Sequence, residues 1–269
     1  MLTLSEQDFH RLAAFVKNNY GINLYKKQQL IAGRLTNVVT GMGFTTFREY
    51  VDHILSGRNP HDVDVMLNKL TTNYTYFMRE EAHFDYFKNT VLPYLESVKK
   101  DHVLSIWSAG CSSGQEPYTL SMILKEYFGP RASKWDTRVL ATDISQNVLN
   151  AAATAEYEEE SLRNLPAGWK QKYFKKSIHP GYYSVTDMIK SNVIFKTFNL
   201  MDPIRFKLKF DVIFCRNVMI YFDQPTREAL IDRFYNATVP GGYLFIGHSE
   251  SLPKTNKKYH YVIPAAYRK

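Results

Sequence analysis

The chain has 269 residues, 45% of them apolar, enough to bury one large core or two modest ones. No apolar run approaches the ~20 residues of a membrane span, and the opening MLTLSEQDFHRL lacks the basic and apolar regions of a secretory leader, so an unexported, cytoplasmic protein without membrane insertion is expected. Cys111 and Cys215 have no C-x-x-C partner and exclude a disulfide framework, no metal is expected, and a net charge of +8 implies an acidic partner of unspecified kind.

The first hundred residues read as helices. Ser5 caps a helix carrying Phe9, Leu12, Ala13 and Val16, with Gly21 beyond its end. A second carries Leu30, Ile31, Leu35 and Val38 and stops near Gly41. Thr45 opens a third, with Phe47, Tyr50, Val51 and Ile54 inward, and Pro60 starts a fourth with Val63, Met66, Leu67 and Leu70. The Thr, Asn and Tyr cluster of LTTNYTYFMREEAHF then breaks the pattern, before an amphipathic run (Phe84, Phe87, Val91) that Pro93 interrupts.

From Val103 the texture changes to short apolar runs alternating with helices: VLSIW, PYTLSMILKEYF, RVLATDI, then a helix from Gln146 to Ala153. NVIFKTFNL, FDVIFCRN and GGYLFIGHS follow as strands. Such alternation predicts an α/β domain with a parallel sheet covered on both faces. Between Tyr157 and Asn192 it lapses, and YFKKSIHPGYYSVTDM predicts two short antiparallel strands about a His179-Pro180-Gly181 turn.

VLSIWSAGCSSGQEPYTL poses a choice. Gly110-Cys111-Ser112-Ser113-Gly114 matches the G-x-S-x-G nucleophile elbow of hydrolases, with Asp211 and His248 available in the right order. That reading lacks an upstream strand and oxyanion loop, since VLSIW is the first strand of its domain. The alternative is a cofactor turn. Gly110 and Gly114 let the chain turn tightly beside a ligand, Pro117 suits the first helical turn, and Asp143 ends the next strand where a carboxylate can accept from ribose hydroxyls. The G-x-x-x-G spacing disfavours NAD. Glu116 at the helix start suits an ammonium group better than a pyrophosphate, which points to S-adenosylmethionine.

TTNYTYFMREEAHF, IWSAGCSSGQEPYTL, ATDIS, FDVIFCRNVMIYFD and PGGYLFIGHSES together resemble the CheR-type chemotaxis receptor methyltransferases, over nearly the whole chain. The resemblance implies an enzyme that esterifies glutamates on cytoplasmic chemoreceptor helices, with S-adenosylmethionine as cofactor and S-adenosylhomocysteine as product. The implied fold is an all-α N-terminal domain (1–71), a linker (72–98) and a Rossmann-like class I methyltransferase domain (99–269) with a small antiparallel β-subdomain at about 157–192. Carried over position by position, the cofactor contacts fall on Asn73, Thr75, Arg79, Glu116, Asp143, Asn199, Leu200, Arg216 and Asn217, with Arg79 and Tyr221 nearest the transferred methyl. Some members dock a receptor C-terminal peptide on the β-subdomain. The tight turn in KKSIHPGYYS places this chain with those that do not need it.

From Phe9 to Arg48 the bases Arg11, Lys17, Lys26, Lys27, Arg34 and Arg48 stand without an acid among them. This one-sign stretch suits an acidic receptor helix, with Lys26, Lys27 and Arg34 as the docking candidates. It would also suit nucleic acid, although no HTH, RNP or zinc pattern accompanies it, and nucleic acid is not the expected partner. A non-catalytic cofactor-sensing module is the third alternative.

Overall fold

The computed structural model describes residues 2–253 and 256–269. Four helices come first, α1 (Glu6–Tyr20), α2 (Gln28–Gly41), α3 (Phe47–Leu55) and α4 (Pro60–Leu70). Their starts are set locally: Ser5 accepts from Asp8 N, Thr46 and Glu49 form a capping box, and Asn59 accepts from His61 N beside Pro60. The capping box starts the third helix one residue after the expected Thr45, whose N–H and hydroxyl both donate to Glu49 instead. Leu30, expected inward, is 50% exposed. It lies about 100° around the helix from Ile31, so the stripe of Ile31, Leu35 and Val38 cannot include it.

Residues 72–76 carry no regular structure, and α5 (Glu81–Tyr86), a π-helical turn (Phe87–Val91) and α6 (Leu92–Val98) follow as one continuous run. Pro93 does not break it. The wider turn, with Leu92 N bonded to Phe87 O, ends just before the residue that has no N–H to give.

The second half builds the sheet. Its elements in order are β1 (Ile106–Ala109), α7 (Gln115–Phe128), β2 (Val139–Asp143), α8 (Gln146–Thr154), β3 (Glu156–Glu158), α9 (Trp169–Tyr173), β4 (Phe174–Lys176), β5 (Tyr182–Val185), α10 (Asp187–Lys190), β6 (Val193–Thr197), β7 (Phe210–Cys215), α11 (Gln224–Ala237), β8 (Thr238–Ile246), β9 (His260–Ile263) and β10 (Ala266–Arg268). The seven-stranded sheet runs β6-β2-β1-β7-β8-β10-β9. Its first five strands are parallel, while β10 is antiparallel to β8 and β9. The sheet is therefore mixed rather than parallel, because the last two strands form a hairpin across Pro264-Ala265. The insert also gains a strand, with β3 and β4 flanking β5 where two strands were expected.

Strand periodicity sorts the interior into two layers. Trp107, Ala109, Ile213, Cys215, Leu244 and Ile246 face α11 and the four N-terminal helices. Ile106, Val139, Ala141, Val212, Phe214 and Phe245 face α5, α6, α7 and the β-subdomain. The α1–α2 connection is seated directly on the sheet domain: Ile22 bridges Phe222, Asn23 N donates to Tyr221 O, and Lys17 Nζ lies 2.7 Å from Asp223 Oδ2.

Candidate active site

The C-terminal ends of β1, β2 and β7 open into a cleft of about 330 Å³. In an open parallel sheet this edge is where ligands bind, because adjacent connections leave a crevice there. Segment 71–79 and the end of α1, with Tyr20 and Ile22, wall it from the other side. All ten cofactor and catalytic residues implied by the resemblance line this one cleft: Asn73, Thr75, Arg79, Glu116, Asp143, Asn199, Leu200, Arg216, Asn217 and Tyr221.

The β1–α7 turn is held by its neighbours. Gly110 N and Cys111 N donate to Thr142 O, and Asp143 Oδ2 accepts from Ser112 N at 2.8 Å. Gly110 (φ +84) and Gly114 (φ +94) are in conformations that other residues rarely adopt, and the space is taken as well. A Cβ at 110 would lie 2.4 Å from Val218 Cγ2, and one at 114 would lie 2.9 Å from Ala152 Cβ. The glycines thus allow protein to pack against the turn on the Cβ side, while Gly110 also borders the cleft.

Asp143 sits at the end of β2 with one backbone donor on each oxygen, Ser112 N on Oδ2 and Ser145 N on Oδ1. Burial raises its pKa, against the opposing pull of these bonds. Each oxygen keeps a lone pair, and the carboxylate lines the cleft.

Across from it lies an ionic cluster. Arg216, with a side chain only 2% exposed, places Nη1 3.1 Å from Glu116 Oε2 and Nη2 3.0 Å from Glu80 Oε2, while Nη2 also donates to Arg79 O. Its guanidinium lies 5.0 Å from the Phe84 ring centre. Glu116 Oε1 accepts from Ser108 at 2.7 Å. An acid–base pair of this kind complements a zwitterion, the glutamate taking an ammonium and the arginine side favouring a carboxylate. A carboxylate with free lone pairs on one side of a cleft and an acid–base pair across from it fit the nucleoside and amino-acid ends of S-adenosylmethionine.

Two family models divide the chain accordingly: "CheR methyltransferase, all-alpha domain" over residues 7–71 and "CheR methyltransferase, SAM binding domain" over residues 73–267. The chain belongs to the CheR methyltransferase family. It is similar to the chemotaxis protein methyltransferase of Borreliella burgdorferi, at 42% identity over 273 aligned positions spanning 100% of this chain and 96% of the relative. Chemotaxis protein methyltransferase 1 of Pseudomonas aeruginosa is 35% identical, with 97% and 96% of the two chains covered, and the Escherichia coli chemotaxis protein methyltransferase is 33% identical, with 96% and 89% covered. The protein is thus a methyltransferase that uses S-adenosylmethionine.

Within this CheR fold the hydrolase constellation does not assemble. Ser112 Oγ donates to Asn73 O at 3.1 Å. Asp211 is the second residue of β7, at the end of the strand away from the cleft, where it accepts from Ser105 N and pairs with Lys99. His248 instead packs edge-on against His83.

Other site residues are tied into the scaffold. Asn199 donates to Asn19 O at 2.7 Å and accepts from Met201 N, and Leu200 O receives Arg233. Arg79 Nη1 donates to Tyr74 O at 2.8 Å within the 72–79 segment, and Tyr221 OH donates to Thr72 O at 3.2 Å and so ties that segment to the loop after β7. Ser112 and Asn217, which line the cleft, and Met78 and Glu80 on either side of Arg79 have positive φ.

Sequence reasoning missed two acids. Glu80, next to Arg79, accepts from Arg216, Asn217 Nδ2 and His248 N. Burial pushes its pKa up, but the Arg216 charge and these bonds outweigh it and leave the carboxyl below its ordinary value. Glu250, 9% exposed in the GHSES stretch, accepts from Asn217 N (3.0 Å), Ile220 N (3.0 Å) and Gly247 N (2.5 Å), and so fixes the loop after β7. An acid just after an apolar strand was the available signal.

Among the basic residues of the first domain, Arg11 pairs with Asp8 and Asp52, Arg48 with Asp8, and Lys17 with Asp223, acids from just outside the stretch or far from it. Lys26 and Lys27 are exposed. Arg34 is half-buried and donates to Leu70 O and Thr72 Oγ1, at the start of the cleft-lining segment. No helix of the described residues is long and apolar enough to cross a membrane.

Proposed function

We propose that this chain esterifies glutamate side chains of chemoreceptors, with Asp143 taking the cofactor ribose, Glu116 and Arg216 facing its amino-acid end, and Arg79 and Tyr221 positioning the acceptor carboxylate. The observation that carries this reading is Asp143, held by two backbone donors with lone pairs facing the cleft, opposite the Glu116–Arg216 pair. When bound, S-adenosylmethionine supplies a methyl on a cationic sulfur that departs with the carbon–sulfur electron pair as neutral S-adenosylhomocysteine. A glutamate with a pKa of about 4.3 is already ionised at neutral pH, so the protein has no proton to remove. Its residues hold the acceptor oxygen in line and exclude water. A cation also stabilises the free carboxylate, so Arg79 contributes orientation, and Tyr221 contributes a neutral hydrogen bond.

The exposed Lys26 and Lys27, between α1 and α2, support docking of an acidic receptor helix, with Arg34 steadying the segment beside it. The tight β4–β5 turn supports docking without a receptor C-terminal peptide. Transfer of labelled methyl from S-adenosylmethionine to receptor-containing membranes tests the reading. Arg79→Met and Tyr221→Phe should each lower turnover at least about tenfold while changing S-adenosylhomocysteine affinity, by calorimetry, less than about threefold. Equal losses in rate and binding would make them cofactor anchors, and label appearing in RNA instead of receptor would overturn the substrate.

A further inference from the structure

Behind the Arg216 cluster, Glu80 and His83 from the start of α5 meet His248 from the end of β8, and one potential ligand atom of each lies within 4.8 Å of the others. We propose that Glu80, His83 and His248 bind a divalent transition-metal ion of the zinc type, and that its binding opposes cofactor binding.

The argument begins with His83, which is fully buried. Its Nε2 lies 3.0 Å from Pro264 O. A carbonyl cannot donate, so Nε2 carries the proton and Nδ1 holds a bare lone pair. That Nδ1 is a buried polar atom with no hydrogen-bond partner, directed at Glu80 Oε2 3.6 Å away. An imidazole fixed by a carbonyl on one nitrogen, with the other left open, is the arrangement typical of metal-binding histidines.

His248 is exposed, and its ring centre lies 4.6 Å from that of His83. It can turn inward to bring the ligand atoms to the ~3.3 Å separation of a tetrahedral site, and it leaves a path for the ion to enter. Two imidazoles and one carboxylate, with a fourth position open to water, select zinc-like ions over magnesium or calcium.

Coupling to the cofactor follows from Glu80. Its Oε2 is the oxygen that Arg216 contacts through Nε and Nη2, so an incoming dication competes with the guanidinium for it. Arg216 would keep Glu116 and Arg79 O as partners but move relative to the cleft. Binding of the metal stands on the cluster alone. The antagonism rests also on the cofactor placement proposed above.

The test is calorimetric titration of the full chain with zinc chloride at neutral pH, with magnesium chloride as the control, repeated with His248→Gln, which keeps the backbone N–H to Glu80. One zinc per chain and no magnesium binding are expected, with His248→Gln weakening zinc binding at least about tenfold. Cobalt(II) in place of zinc should give the intense visible absorption of a four- or five-coordinate site in the wild type and lose it in the variant. Zinc affinity unchanged by His248→Gln, or no binding at millimolar zinc, would overturn the site. Zinc should also weaken S-adenosylhomocysteine binding several-fold, and the homocysteine compound should weaken zinc binding by the same factor. A site lost in the variant but without this mutual effect would overturn the antagonism and leave the site standing.

Discussion

Asp143 and Glu250 occupy opposite flanks of the cleft and begin from the same physics. Each is a carboxylate at or just beyond the end of a strand, each accepts backbone N–H groups, and burial raises the pKa of both. They differ in what is left over. Asp143 has one backbone donor on each oxygen and borders the cleft, whereas Glu250 takes three backbone donors from two loops and is absent from the cleft wall. An acid whose spare lone pairs face a cavity can serve a ligand, and one that ties two loops together away from the cavity wall is scaffold.

The largest effect should come from Glu250→Ala, which leaves three backbone N–H groups, that of Gly247 buried, without their acceptor. We expect a loss of about 3 kcal/mol or more in urea unfolding, with weakened S-adenosylhomocysteine binding because the loop bearing Asn217 and Tyr221 is released. A variant of normal stability and affinity would erase the distinction.

Asp143→Asn should do the reverse. Cofactor affinity should fall at least about tenfold by calorimetry, while the free protein loses less stability than Glu250→Ala, since the amide oxygen keeps one of the two backbone N–H bonds and only the other N–H meets the amide nitrogen. The pH dependence follows from the raised Asp143 pKa. A ribose hydroxyl donates best to the ionised form, so affinity should decline on acidification with a midpoint above the ordinary ~3.9 of an aspartate. For the free protein the sign is opposite: a raised carboxyl pKa disfavours folding when the group is ionised, and that penalty is relieved as pH falls.

A smaller effect belongs to the ion pair joining the two domains. Hydrogen bonds to Lys17 and Thr226 hold the Asp223 pKa at about 2. Its stabilising contribution is therefore present above the unfolded value of ~3.9 and lost as pH falls through about 2. Because the pair is partly exposed, Lys17→Met should cost no more than about 1 kcal/mol in thermal unfolding. The smallest effect on activity is expected for Ser112→Ala, which removes one hydrogen bond to Asn73 O, worth about 1 kcal/mol, and should leave methyl transfer intact in rate assays. Loss of turnover would return Ser112 to the chemistry.

Local signals carried the N-terminal helices, since Ser5, Pro60 and the stripe from Phe9 to Val16 act within a turn or two of chain. They also carried the β1–α7 turn and the acid at the end of β2, because strand, glycine turn and helix are contiguous. The family resemblance pointed to cleft residues as distant as Asn73 and Tyr221, and the fold gathers them around one cavity. Contacts made only by folding could not be read in advance: the β9–β10 hairpin beside β8, the third strand of the insert, Val218 filling the space over Gly110, and the attachment of Arg34 to Thr72. Glu80 and Arg216 are 136 positions apart, and the Glu250 bonds depend on where two loops end. Helix caps and apolar periodicity are short-range properties that sequence alone determines, whereas the pairing of buried charges depends on which segments the sheet order makes neighbours, and tertiary structure decides that.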